Sequence, residues 1–145
     1  MIYTELTKKA MQLCFEAHKH QVDKSGMPYV FHPMIVAEKM TSEITTTVAL
    51  LHDVVEDTDY TLDDLRVLGY PEEVISALAL LTHNPKIPYM DYVKAIAQNP
   101  IAREVKLGDL HHNSDVTRLE KVSEKDLARV EKYRKAIEYL ENVAC

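Results

Sequence analysis

Four of the chain's six prolines, Pro33, Pro71, Pro88 and Pro100, stand at or next to the start of a stretch with a helical period. Proline is tolerated in the first turn of a helix, where its missing N–H would have no partner, and is costly in the interior of a helix or sheet. The chain therefore reads as a succession of short helices. Leu6, Ala10, Leu13, Cys14 and Ala17 recur at the three-and-four spacing of one helix face, which predicts a helix over 4–19. Residues 21–31 show no period and, with Ser25, Gly26 and Pro28, are expected to form a loop. His32-Pro33 opens a helix to about Met40, and a third helix is expected over 43–58. Thr61 and Asp64 have capping-box spacing for a short helix that stops at Gly69. Pro71 begins a helix with the inward stripe Val74, Leu78 and Leu81, ended by Asn84-Pro85, and Pro88 and Pro100 begin two more. Ser123 and Asp126 cap the last, whose seam is Leu127, Val130, Arg134, Ile137 and Leu140. With no alternating strand, repeat or low-complexity tract, the expectation is one all-α domain over 1–145, of seven or eight short helices.

Charge and composition remove several function classes. Seventeen Lys and Arg against 23 Asp and Glu leave −6, which disfavours broad affinity for nucleic acid or anionic membrane. At 46% hydrophobic and 28% charged residues the chain has the balance of a folded globular protein. It has no apolar run of about 20 residues and no signal-like apolar block near its start, so a cytoplasmic location is expected. The three glycines, Gly26, Gly69 and Gly108, lie about 40 positions apart, which excludes a P-loop or a dinucleotide fingerprint; a G-x-S-x-G elbow is absent as well. Two cysteines form neither a thiolate cage nor a disulfide framework; Cys14 is expected to be buried and Cys145 a frayed end.

The segment Leu50 to Thr58, LLHDVVEDT, carries the chemistry. On a helical wheel with Leu51 at zero, His52, Glu56, Asp53 and Asp57 fall at about 100°, 140°, 200° and 240°, opposite Val54, Leu51 and Val55. No Lys or Arg stands at i+3 or i+4 to neutralise the three acids, and the apolar run Val48 to Leu51 buries the helix just before them. Like charges so placed destabilise a helix unless a cation sits among them. His32, at a helix start, and Asp109, inside a helical stretch, offer matching ligand types. His32, His52, Asp53 and Asp109 make a mixed nitrogen and oxygen set suited to Mn²⁺, Fe²⁺ or Zn²⁺, the set of a hydrolase. Glu56 and Asp57, one turn on, are placed to orient or deprotonate water and to protonate a leaving oxygen.

Four blocks resemble one known family: AHKHQVDKSGMPYVFHPMIVA (17–37), LLHDVVEDT (50–58), TLDDLRVLGYPEEVISALALLTH (61–83) and VKLGDLHHN (105–113). The sequence is similar to the HD-domain hydrolase half of the RelA/SpoT alarmone family, and in size to its stand-alone small hydrolases. The resemblance implies metal ligation by His32, His52, Asp53 and Asp109, with Mn²⁺ the usual ion, and water activation by Glu56 and Asp57. It further implies substrate contacts from Lys24 and Ser25 and a nucleotide-sugar contact from Asn113. The implied reaction removes pyrophosphate from the ribose 3′ position of guanosine tetra- or pentaphosphate, restoring GDP or GTP. The chain departs from the family pattern at Asp23, where an arginine that packs over the base is usual, and at Gly108, Leu110 and His111. A phosphatase acting on the 2′-phosphate of a nicotinamide dinucleotide or on a monophosphate is the alternative, as is an alarmone sensor without turnover.

Lys86, Arg103, Lys106 and Arg118 are candidate phosphate-facing cations among which the sequence does not choose. His111 and His112 are expected to pack or face solvent, Tyr29, Tyr89 and Tyr92 to cover the core or stack a base, and His18 and His20 to suit a helix C-terminus.

Overall fold

Capping boxes start four helices in the computed structural model, which describes residues 1–143. Thr4 with Thr7 opens α1 (Glu5–His18), Ser42 with Thr45 opens α3 (Glu43–Leu51), Thr61 with Asp64 opens α5 (Leu62–Val67), and Ser123 with Asp126 opens α9 (Glu124–Asn142). The remaining helices are α2 (Phe31–Glu38), α4 (Val54–Asp57), α6 (Glu72–Leu81), α7 (Tyr89–Ala97) and α8 (Pro100–Asn113), with a 3₁₀ turn at Val116–Arg118. Pro100 is the first residue of α8, Pro71 and Pro88 are the N-caps of α6 and α7, and Pro33 lies in the first turn of α2. Gly69, at φ +94°, takes the left-handed conformation after α5 that the sequence pattern requires. Among the described residues no strand forms, only an isolated bridge between Val22 and Pro28, and no helix is long and apolar enough to cross a membrane. Taken as one interrupted unit, α3 and α4 match the single helix expected over 43–58, and the count among the described residues becomes eight, within the expected seven or eight.

Every residue from Thr45 to Leu51 is buried, because α3 runs through the middle of the fold and packs against α1, α2, α6 and α8. Leu50 and Leu51 are fully buried, and burial of a side chain that size contributes about 1.5–3 kcal/mol. Cys14 is buried beside them, and burial, helped by the Asp53 charge, pushes its thiol up to about 12. Cys145 lies outside the described residues.

The seam expected on α9 is narrower than its period suggests. Leu127 is 58% exposed and Arg134 pairs with Glu131 and Glu138, while Ala136 and Leu140 carry the burial. The start of α9 overhangs a cleft instead of the core, and Asp126, Arg129 and Tyr133 line it.

Gly108 sets how closely two helices approach. A Cβ there would stand 3.1 Å from Met40 Cε and 3.2 Å from Val36 Cγ1, so its absence lets α8 press against α2. Those two helices carry Asp109 and His32.

Candidate metal centre

α3 ends at Leu51, Asp53 takes φ −101° and ψ −3°, and α4 resumes at Val54. On an unbroken helix His52 and Asp53 would diverge by about 100°. With the helix interrupted between them and Val54, both side chains are buried and His52 Nε2 lies 3.1 Å from Asp53 Oδ2. His32 from α2 and Asp109 from α8 complete the group: His32 Nε2 is 2.8 Å from Asp109 Oδ1 and 3.7 Å from Asp53 Oδ2, and His52 Nε2 is 3.3 Å from Asp109 Oδ1. One ligand atom from each of the four lies within 4.8 Å of all the others, and all four residues are buried.

The hydrogen bonds around the imidazoles select their tautomers. His52 Nδ1 lies 2.5 Å from the Ala49 carbonyl, which only accepts, so Nδ1 carries a proton and Nε2 is left to hold either a second proton or a cation against the two carboxylates. An acceptor nitrogen facing acceptor oxygens at 3.1 and 3.3 Å calls for a positive charge between them. His32 Nδ1 lies 2.6 Å from His112 Nδ1, the two rings stacked with centroids 4.9 Å apart. For His32 to offer Nε2 inward, its Nδ1 donates to His112, and His112 must then be neutral. Burial pushes His112 down to about 4, which keeps it neutral. A backbone carbonyl and a neighbouring imidazole thus orient the two inner histidines, as outer partners do at metal sites. The four donors fit a divalent cation with mixed nitrogen and oxygen coordination.

The charges around the cluster favour the same occupant. Burial opposes ionisation of Asp109, yet the Lys106 ammonium, 3.0 Å from Oδ2, and the neighbouring His32 and His52 imidazoles hold it well below the ordinary carboxylate range. Burial likewise opposes charge on His52, but Asp53 and Asp109 hold its imidazole well above its ordinary value. The site draws in positive charge.

Glu56 and Asp57 sit at the rim, exposed to the cleft. Burial raises both above the ordinary range and the Asp53 charge adds to it; the His83 N–H, 3.2 Å from Glu56 Oε1, and the Tyr29 hydroxyl, 3.3 Å from Asp57 Oδ2, pull the other way. Tyr29 donates chiefly to Asp53 Oδ2 at 2.5 Å. A polar cleft holds Tyr29, Glu56, Asp57, Lys106 and Asn113 around the cluster, and a more apolar cleft of about 270 Å³, which includes Lys24, Ser25 and Tyr133, shares Tyr29 and Asn113 with it.

The proposed substrate contacts stand differently from one another. Asn113 donates to Asp109 Oδ1 at 3.0 Å and opens on both clefts. Lys24 is exposed on the wall of the apolar cleft, and the Ser25 hydroxyl is turned into its own loop, donating to Asp23 Oδ1 at 2.6 Å. Three residues that border the four-residue cluster were not assigned to it from sequence: Tyr29, Lys106 and His112. For the last two a signal existed, since Lys106, Asp109, His112 and Asn113 share one face of α8 at i, i+3 spacing. His111 is exposed and lies 3.5 Å from Glu141.

No family model matches the chain. It is 36% identical over 114 residues to the mouse guanosine-3′,5′-bis(diphosphate) 3′-pyrophosphohydrolase MESH1, an alignment that covers 68% of this chain and 63% of that protein. It is 33% identical over 147 residues to a GTP pyrophosphokinase of Streptomyces coelicolor, covering 92% of this chain and 16% of the other. A guanosine-3′,5′-bis(diphosphate) 3′-pyrophosphohydrolase of Aquifex aeolicus is 31% identical over 119 residues, covering 74% and 17%. The chain thus spans less than two thirds of the length of each of these relatives. Its fold superposes on a metazoan ortholog of SpoT, described as hydrolysing ppGpp, with a TM-score of 0.76 at 23% identity, over 98% of this chain and 89% of that one.

Proposed function

The chain is a relative of the HD-domain hydrolases of the RelA/SpoT alarmone family, and from that kinship we propose that it is a metal-dependent nucleotide phosphohydrolase that removes the 3′-pyrophosphate of guanosine tetra- and pentaphosphate, giving GDP and GTP. The observation that supports this best is the convergence of His32, His52, Asp53 and Asp109 from distant stretches of chain, with Glu56 and Asp57 at the rim. We assign these four as the ligands and Mn²⁺ as the ion, on the mixed donor set. A divalent cation bound there lowers the pKa of water and shields phosphoester charge.

The protein's own groups supply position and proton handling. Tyr29, whose phenol is pushed up by burial and by the Asp53 and Asp57 charges, stays protonated and keeps the outer oxygens of those acids in place. Asp57 and Glu56, with raised carboxyl pKa values, take a proton from the attacking water and return one to the leaving ribose oxygen. Lys106 balances Asp109, while Lys24 and Asn113 bind the nucleotide.

Two measurements test this reading. Purified protein in Mn²⁺ is expected to release pyrophosphate from guanosine tetraphosphate; orthophosphate from a dinucleotide 2′-phosphate or a monophosphate would reassign the substrate, and binding without turnover would make the domain a sensor. Glu56→Gln is expected to keep its metal, measured by elemental analysis, while kcat falls about 10²–10⁴-fold, the usual worth of a positioned acid or base. Unchanged kcat would remove Glu56 from the chemistry.

A further inference from the structure

The apolar cleft beside the metal centre is walled by Tyr29 and Tyr133 and by the aliphatic Val22, Val116 and Val130, a lining suited to a flat heterocycle and its sugar. Its cations are Lys24, Arg118 and Arg129. Arg129 is bound to Asp126 within one turn of its own helix. Arg118 is held differently, from across the cleft: its Nη1 lies 3.6 Å from Asp23 Oδ2.

Asp23 is the hub of that contact. Its Oδ1 accepts from Ser25 N at 2.8 Å, Ser25 Oγ at 2.6 Å and Met27 N at 3.0 Å, which fixes the turn carrying Lys24. Oδ2 is left for Arg118, so one carboxylate ties the 21–31 loop to the 3₁₀ turn after α8. Arg118 is mostly buried, and its Nε has no hydrogen-bond partner among the described residues. A guanidinium anchored at one end by Asp23 and lining a largely apolar cleft is placed to stack on an aromatic ring.

We propose that Arg118, oriented by Asp23, is the base-binding cation of this cleft, its guanidinium plane stacking on the purine of the bound nucleotide. The inference rests on the nucleotide reading of the site. It makes Asp23 a positioning residue, whose negative charge serves to hold a cation supplied by the opposite wall.

Calorimetric titration of the full chain in Mn²⁺ with GDP, and separately with inorganic pyrophosphate, tests the assignment. Arg118→Ala is expected to weaken GDP about tenfold and to leave pyrophosphate within twofold, since only the base contact is removed. Arg118→Lys, which keeps the charge but loses the plane, is expected to recover less than half of that loss on a logarithmic scale, and Asp23→Asn to weaken GDP about threefold. Arg118→Ala binding GDP within twofold of the parent would overturn the proposal, as would equal losses for GDP and pyrophosphate. A parent chain that binds GDP but releases no pyrophosphate from guanosine tetraphosphate would sink the hydrolase reading while leaving the Arg118 result to decide the stacking.

Discussion

Asp109→Asn is expected to abolish metal uptake and turnover together and to destabilise the fold by about 3–5 kcal/mol, the cost of stranding one member of a buried ion pair. Asp109 accepts from Asn113 through Oδ1, which also faces His32 Nε2 and His52 Nε2, and meets Lys106 through Oδ2. The Lys106 side chain is only 13% exposed, so its ammonium is left largely desolvated once the carboxylate is gone. The amide also puts an N–H where Asn113 and Lys106 already donate. Asp109→Asn with Lys106→Met removes the stranded charge and is expected to return most of the lost stability, read by urea denaturation, without restoring metal content or pyrophosphate release. That separation would show Asp109 to be a ligand and not merely a structural partner of Lys106. Recovery of turnover in the double variant would overturn the ligand assignment.

The helices were legible because their boundaries are encoded locally. Thr61 with Asp64 and Ser123 with Asp126 cap the helices as their spacing predicts, and Pro100 opens α8. The break between α3 and α4 was not legible, since LLHDVVEDT keeps a helical apolar period throughout and no glycine or proline marks Asp53, where the helix is interrupted. The four clustered residues were legible because unneutralised acids beside imidazoles after an apolar run are improbable without a cation. Their surroundings were less so. Tyr29 lies in a stretch with no period, and nothing in the sequence says that its hydroxyl reaches Asp53, 24 positions on. His112 read as a packing residue because its partner, His32, is 80 positions away. Asp23 was visible only as a departure from a family pattern, and its pairing with Arg118 depends on how the segment after α8 folds back over the loop.

Saturating Mn²⁺ is expected to raise the melting temperature of the chain by about 10 °C, and a chelator to reverse the rise. An ion that binds the native state and not the unfolded chain stabilises by RT ln(1 + [L]/Kd), about 4 kcal/mol at a thousandfold excess over Kd, and about 2–4 °C accompany each kcal/mol for a chain near this size. The sign follows from the site: Asp53 and Asp109 are both under 10% exposed and face the inward nitrogens of His32 and His52, so folding creates a set of converging lone pairs that the unfolded chain lacks. Asp53→Asn keeps the volume, removes one donor and one charge, and is expected to lose most of the metal-dependent rise. Asp126→Asn, which alters a carboxylate at the far side of the apolar cleft, is expected to keep it. An equal rise in the parent and Asp53→Asn would place the cation elsewhere, and the four-residue assignment would fail whatever the activity assay showed.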